Sequence, residues 1–375
     1  MKKALFNPKW YFEESFFKKE EEILFSEKWI FAGVKTWVKR NGDFFTLPLC
    51  GKEIVIHNLN NEIKSYLNIC PHRGGPLVVG IHGNSMPICK YHGWAFRSGI
   101  DLTGQTNHDW FSSDQKDDSC GRKLFSIHTK VIGPLIFINQ SNKPISFQEQ
   151  FNDELISLFE TMGDISDTGY FQFISPMNWK LNIENVKDSL HPYYIHADSF
   201  VPYLKMEKSI PAKISISKRS LDIYENKVSL SDLSFNRKNE FSVNDFWWKK
   251  FIKITQPENT YQNTYLFPNT NFFSVSGAYY CFQQYLPLDA NHFTYRLILA
   301  IPEKNKKFDT CALINSLLKL ERDVIKEDDL VLTKVQKNLE KSADSNFFTH
   351  GDYEEDIMNQ MIYLNSEIYN KLNDE

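Results

Sequence analysis

Two short stretches constrain this 375-residue chain more than any other: Cys70-Pro71-His72-Arg73-Gly74 and Cys89-Lys90-Tyr91-His92-Gly93-Trp94. Together they read C-x-H, sixteen residues, C-x-x-H, so each stretch supplies one thiolate and one imidazole. Cysteine thiolates hold iron–sulfur clusters, and in one class of [2Fe–2S] centre two His replace two Cys on one iron. Zinc accepts the same donors. The common zinc finger with a Cys pair and a His pair, however, runs C…C…H…H, and here the two residue types alternate. Gly74, Gly75 and Gly93 flank the ligands, where a loop must fold closely around sulfide and leave backbone N–H groups free to face it. The favoured reading is a [2Fe–2S] cluster bound by Cys70, His72, Cys89 and His92.

Cys-Pro-His-Arg-Gly and Cys-x-Tyr-His-Gly-Trp resemble the Rieske domain of the aromatic-ring-hydroxylating oxygenases, in the large (alpha) subunits of Rieske non-haem iron oxygenases. Respiratory-type Rieske proteins carry an extra Cys in each loop, joined as a disulfide. Gly75 and Tyr91 stand at the matching positions here, so that bridge cannot form. Trp94 also stands where a potential-raising Ser is usual in those proteins. The resemblance therefore implies a potential at the lower end of the Rieske range, roughly −150 mV. That suits electrons delivered from NAD(P)H through a flavin.

A chain of this length can hold two domains with their own cores. A net charge of −4 and dispersed lysines give no electrostatic case for nucleic acid. The aromatic content of 15%, with 30 Phe, implies a large aromatic core that could also line a binding cavity. Four of the six cysteines lie outside the cluster motif without framework spacing, as expected in a reducing compartment. Pro8, Lys9 and Trp10 interrupt any signal-peptide core, and no run of 18 apolar residues exists. A cytoplasmic protein with no membrane association is expected.

Along the chain, Phe12 to Phe31 has the pattern of an amphipathic helix. Two-residue periodicity follows from Gly42, with strands over Phe44 to Leu49, Glu53 to Asn58, Ile63 to Ile69 and Lys123 to Asn139. Shorter strand-like pieces lie at Met86 to Cys89 and Trp94 to Arg97, and Asp101 to Cys120 reads as an irregular polar insertion. Helices are expected at Phe151 to Met162, Met177 to Leu190, Phe308 to Leu339 and Tyr353 to Leu372. Strands are expected at Tyr170 to Ile174, Ser215 to Tyr224, Phe251 to Thr255, Thr264 to Leu266, Asn271 to Val275, Ala278 to Leu286 and His292 to Ile301. The class is α+β: a small all-β Rieske [2Fe–2S] domain and a catalytic domain with an antiparallel sheet flanked by helices, of helix-grip type. The expected divisions are an N-terminal helical segment over 1–41 packing on the catalytic domain, the Rieske domain over 42–145, and a mononuclear iron domain over 146–375.

A second constellation is Asn178-Trp179-Lys180 … Glu184-Asn185-Val186-Lys187-Asp188-Ser189-Leu190-His191-Pro192-Tyr193-Tyr194-Ile195-His196. On a helix Glu184, Asp188 and His191 share one face, and Pro192 should end that helix near His191. The chain can then turn to bring His196 beside it. Two His with a carboxylate leave open positions on Fe(II) for O2 and substrate. By itself a His pair five apart is a weak signal. The whole pattern resembles the mononuclear iron motif of the same family, and the resemblance implies His191 and His196 as ligands. It also implies Asp188 as the acidic residue linking a cluster His of one subunit to an iron-ligand His of the next, and Asn185 as a residue near the iron. Leu190 departs from the family, which often has an aromatic there. The third ligand is expected downstream. Tyr353-Glu354-Glu355-Asp356 resembles the family's C-terminal helix start, which implies Asp356, with Glu355 as runner-up and Asp352 and Glu354 as competitors. The family's Gln-Arg-Gly continuation is absent.

Together the two sites imply the terminal oxygenase of a Rieske-type system, a mono- or dioxygenase using O2 and electrons from NAD(P)H to hydroxylate a small organic substrate. Oxidative demethylation uses the same ligands. An electron-transfer protein without oxygenase activity and a zinc-stapled binding protein are the readings from other classes. No flavin- or dinucleotide-type glycine turn is visible, so a separate reductase, with or without a ferredoxin, is implied. By resemblance the assembly is a head-to-tail homotrimer. Trp247, Trp248, Phe272 and Tyr279 are candidate pocket residues, for which core packing is an equal explanation.

Overall fold

The computed structural model describes residues 7–105, 123–188, 190–203, 228–240, 246–257, 260–343, 351 and 354–369. The chain forms two compact units, one of Phe25–Pro144 and one of Met1–Leu24 with Ile145–Glu375. The strand expected over Ser215 to Tyr224 lies outside the described residues, as does most of the polar insertion before Cys120.

The first unit is built on an antiparallel sheet of seven strands: β1 (Ile30–Val34), β2 (Asp43–Leu49), β3 (Lys52–Leu59), β4 (Glu62–Leu67), β5 (His82–Asn84), β6 (Ser126–Ile132) and β7 (Leu135–Asn139). Their spatial order is β1-β7-β6-β4-β3-β2-β5. β2, β3 and β4 follow one another through tight turns with Cys50, Gly51, Asn60 and Asn61 at positive φ, which the short polar or missing side chains tolerate. The expectation of one helix from Phe12 to Phe31 is corrected here. Helix α1 covers only Glu14–Glu20, a wider turn follows to Phe25, and Ile30–Val34 pairs with β7 as an edge strand. All five residues of β1 are buried, and for so short an apolar run periodicity alone does not separate helix from strand. Residues 25–41 thus belong to the sheet-bearing unit. Ile88 and Ala95 form an isolated bridge rather than two full strands.

The second unit holds a six-stranded antiparallel sheet: β8 (Ile165–Ser175), β9 (Phe235–Glu240), β10 (Thr260–Leu266), β11 (Thr270–Val275), β12 (Tyr280–Pro287) and β13 (Phe293–Pro302), in the order β8-β13-β12-β11-β10-β9. Every residue of β13 is buried. Helices α2 (Asp153–Thr161), α3 (Trp179–Lys187), α4 (Pro192–Ile195), α5 (Cys311–Lys341) and α6 (Glu355–Leu364) accompany it, so the fold is α+β. α5 crosses β8 closely: a Cβ on Gly169 would lie 2.3 Å from Ile314 Cγ2. Beyond that crossing Ser175 Oγ donates to Asp329 Oδ1 at 2.7 Å, and Asn178 N–H donates to Gln336 Oε1 at 3.1 Å. These two bonds fix the rotation of α5 at the turn that includes Asp328. α3 is a turn shorter than expected. The Asp188 carboxylate accepts the N–H groups of Leu190 at 2.7 Å and His191 at 3.1 Å, a side-chain turn that competes with helix continuation. Phe251–Thr255 is not a strand; a 3-10 turn covers Trp247–Lys250, and Ile252 makes a single bridge with Lys306. Among the described residues no helix is long and apolar enough to cross a membrane.

His57 lies fully buried in β3. Its Nε2 faces the carbonyls of Ser85 at 2.8 Å and Gly42 at 3.2 Å, which require a donor. Nδ1 therefore accepts from the Tyr66 hydroxyl at 2.7 Å. Burial lowers its pKa to about 4. The unfolded chain takes up a proton near pH 6.5 that the folded unit resists, so stability falls as pH drops through 6.5 toward 4. Between pH 7 and pH 5 this group should cost the first unit about 2 kcal/mol. Urea midpoints at the two pH values measure it, and the difference should shrink in His57→Gln.

Candidate metal centres

In the first unit the two cysteine–histidine stretches form matching loops. Gly74 N–H donates to Cys70 O at 2.9 Å and Gly93 N–H to Cys89 O at 3.0 Å, each glycine at φ +73°. Each loop is closed on itself, by Cys70 N–H to Gly75 O and by Cys89 N–H to Trp94 O, both at 2.8 Å, and Lys90 N–H donates across to Pro76 O at 3.0 Å. A Cβ on Gly75 would come within 2.9 Å of Cys89 Sγ, so only glycine leaves room beside that sulfur. Both cysteines are buried. Burial, opposed by backbone N–H groups and reinforced by the neighbouring Cys89 thiol, pushes the Cys70 thiol up to about 11. A pair of neighbouring cysteine sulfurs is held as thiolates most readily with a cation between them. The rings of His72 and His92 are 4.8 Å apart, and Trp94 stacks on His72 at 4.6 Å. His92 Nδ1 is buried with no hydrogen-bond partner among the described residues. Two thiolates, two imidazoles and a glycine-lined gap fit a [2Fe–2S] cluster with mixed ligation.

In the second unit, His191, His196 and Asp328 each offer one ligand atom, all within 4.8 Å of one another. α4 begins at Pro192, whose missing N–H suits a first helical position, and its single turn carries the chain from His191 to His196. The two rings meet edge to face at 5.3 Å. His191 Nδ1 lies 3.0 Å from Asp188 O, which leaves Nε2 facing inward. His196 Nδ1 lies 2.8 Å from Glu327 Oε2, and its Nε2 lies 3.1 Å from Asp328 Oδ1. Ser199 Oγ donates to the same Glu327 oxygen at 2.5 Å. Asn185 Nδ2 donates to Asp328 Oδ1 at 2.9 Å and lies 3.4 Å from His191 Nε2. Burial lowers the His191 pKa against the opposing charges of Asp328 and Asp188. Burial also pulls on His196, but hydrogen bonds and charge from Asp328 and then Glu327 outweigh it and raise its pKa. Two imidazoles and one carboxylate match the facial donor set of non-haem Fe(II). An outer carboxylate orienting a ligand His is the usual support of such a site.

The downstream carboxylate in this group is Asp328 rather than Asp356. Asp356 sits in the first turn of α6 and is engaged by Arg237. Glu355 shares that turn and is also outside the group. Glu327 and Asp328 both went unrecognised in the sequence. One signal was present: Asp328 lies on the stripe that buries Leu317, Glu321, Val324, Ile325 and Leu332, where an apolar residue is the ordinary choice. Asp188 stands at the end of α3, and Asn185 reaches the trio directly. Of the candidate pocket residues, Trp248 and Tyr279 are buried and linked through Tyr203, Phe272 packs on Phe282 at 5.0 Å, and Trp247 is half exposed.

A model of the Rieske [2Fe–2S] domain matches residues 28–109, and one of the ring hydroxylating alpha subunit catalytic domain matches residues 162–362. The chain belongs to the ring-hydroxylating alpha subunit family. It is 25% identical over 186 residues to the carnitine monooxygenase oxygenase subunit of Acinetobacter baumannii, covering 48% of this chain and 49% of that protein. It is 27% identical over 210 residues to the large oxygenase component of the naphthalene 1,2-dioxygenase system of Pseudomonas aeruginosa, covering 50% and 43%. The matches thus span about half the length of the curated relatives. The fold is shared with the quaternary ammonium Rieske monooxygenase CntA (TM-score 0.74, 18% identity, covering 96% and 94% of the two chains). It is shared equally with naphthalene 1,2-dioxygenase from Rhodococcus sp. (TM-score 0.70, 14% identity, covering 96% and 94%).

Replacing Asp328 separates the two carboxylates. Asp328→Ala should lose about one iron of roughly three per chain while the cluster's visible absorbance remains. Asp356→Asn should retain all of it. Metal analysis of the two purified variants decides, and iron loss confined to Asp356→Asn would restore the sequence expectation.

Proposed function

We propose that the chain is the terminal oxygenase component of a Rieske-type system that hydroxylates a small organic substrate with O2 and electrons relayed from NAD(P)H. The observation that carries this reading is the presence, in one chain, of the Cys70/His72/Cys89/His92 cradle and the His191/His196/Asp328 trio. When bound, a Rieske cluster supplies single electrons, and a ferrous ion held by two histidines and a carboxylate supplies open positions for O2 and substrate. The residues of this chain do the rest. Cys70, His72, Cys89 and His92 hold the cluster, and His191, His196 and Asp328 hold the iron. Asp188 O keeps His191 turned with Nε2 inward, and Glu327 does the same for His196 through Nδ1. Asn185 steadies the Asp328 carboxylate. Phe200, whose ring lies 6.3 Å from that of His196, gives the trio an apolar neighbour, as a site that must limit water requires.

The electron source is a flavin reductase, with or without a ferredoxin, and the working assembly is a homotrimer in the cytoplasm. In that assembly Asp188 links the cluster His of one subunit to the iron-ligand His of the next. Among the described residues its carboxylate accepts two N–H donors, those of Leu190 and His191, and retains lone pairs for a further partner. Oxidative demethylation is the second reading, favoured by the likeness to a quaternary ammonium monooxygenase.

Iron quantification with EPR on dithionite-reduced, anaerobically purified protein tests the reading. About three irons per chain with a Rieske-type signal are expected. About two with the same signal would favour an electron carrier, and zinc without a signal would overturn both. Asp188→Asn should keep both metals yet lower product formed per cluster oxidised by about tenfold or more. A normal single-turnover yield would remove Asp188 from the electron path.

A further inference from the structure

α5 carries a second carboxyl on its buried face that the metal trio does not use. Glu321 lies two turns before Asp328, only 5% exposed, between Leu317 and Ile325 on the stripe that packs inward. A leucine, methionine or glutamine would fit such a position without bringing a charge into the core. Among the described residues Glu321 has neither a hydrogen bond nor an ion pair, and the charged groups that act on it are His196 and Asp328. No Lys or Arg is among them. Burial raises its pKa to about 8, the sign of a carboxyl whose ionised form lacks a partner.

The surroundings of Glu321 are aromatic. Besides burial, its charge helps to hold up the phenols of Tyr203, Tyr261 and Tyr279, so all three hydroxyls lie within reach of its field. Two of them are fixed by hydrogen bonds: Trp248 Nε1–H donates to Tyr203 Oη at 3.2 Å, and the hydroxyls of Tyr203 and Tyr279 meet at 3.3 Å. Phe246 stacks on Trp248 at 4.6 Å. The wall reaches the metal trio through Phe200, whose ring lies 6.3 Å from His196 and 6.0 Å from Tyr261.

A buried carboxyl without a partner among the described residues, its charge felt by a connected group of aromatic side chains, is an arrangement that a cation completes. The ion pairs with the carboxylate, and the rings attract its positive surface where water cannot compete. A neutral hydrocarbon would leave the carboxyl as unpaired as before. We propose that Glu321 is the anionic partner of the substrate, an organic cation of the amine or quaternary ammonium class held against the Tyr203/Tyr261/Tyr279 wall beside His191, His196 and Asp328. This assignment rests on the oxygenase reading for the word substrate, but the binding it describes needs no turnover.

The test compares choline with 3,3-dimethylbutan-1-ol, in which carbon replaces the charged nitrogen in the same shape. Calorimetry on the full, metal-loaded chain without reductant should give choline an affinity about tenfold or more above the neutral isostere. In Glu321→Gln, which keeps the side-chain volume, the preference should fall to within about twofold while iron content and melting temperature are retained. The isostere pair also decides on the unaltered protein, should the variant not fold. Equal binding, a neutral preference, or no choline binding at millimolar concentration would overturn the proposal and leave the oxygenase reading standing. Choline binding in a protein with no mononuclear iron would do the reverse.

Discussion

A single buried carboxylate, Glu20, ties the second unit together. It is fully enclosed and takes Lys180 Nζ at 2.6 Å, Trp179 Nε1 at 2.9 Å and the hydroxyl of Tyr369. Glu20 closes α1, and its partners come from the start of α3 and the last described turn of the chain. A buried pair of this kind contributes little net stability, yet losing one partner costs about 3–5 kcal/mol because the other charge stays behind. The first turn of α3 therefore cannot leave without stranding a charge. Its last turn is held similarly: Lys187 donates to Gln360 Oε1 at 2.5 Å and lies 4.0 Å over the Tyr265 ring, while Tyr11 Oη–H donates to Glu184 at 2.6 Å. With both ends of α3 fixed, Asn185 and the His191 turn that follows have a rigid base.

The carboxylate half of the trio depends on α5 in the same way. Gly169 lets the helix lie against β8, and the bonds to Asp329 and Gln336 fix its rotation over the turns that follow Asp328. Gln336 also donates to Tyr11 O at 2.9 Å, so the N-terminal segment contacts both ligand-bearing elements. The donor atoms are brought within one ion's reach by the packing of the protein's own helices and strands, which is the condition for a pre-organised site.

What the sequence disclosed follows the range of the interactions. The residues read as cluster ligands sit in two loops whose residues and glycines are local, and the pair His191 and His196 is brought together by one proline-started turn, so both groupings were legible. Asp328 lies 132 positions beyond His196 with no motif around it, and only the packing of α5 on β8 brings it there. Asp356 lies outside that group: an acidic residue in a first helical turn is favoured by the helix dipole whatever else it does, and its partner, Arg237, is likewise remote in sequence. The edge strand Ile30–Val34 was hidden because its apolar residues continue the pattern of α1, and its pairing partner lies beyond residue 134.

Glu321 and Asp328 share one uninterrupted helix, and this makes α5 a ruler. Seven residues rise about 10 Å and return to nearly the same face. The span between a charged anchor and the oxidising position is then set by backbone geometry that no loop motion can stretch. Molecules would be sorted by the number of bonds between their charge and the carbon that reacts. Retuning that number requires the wall residues to change, since shifting either acid by a single position turns it about 100° off the face.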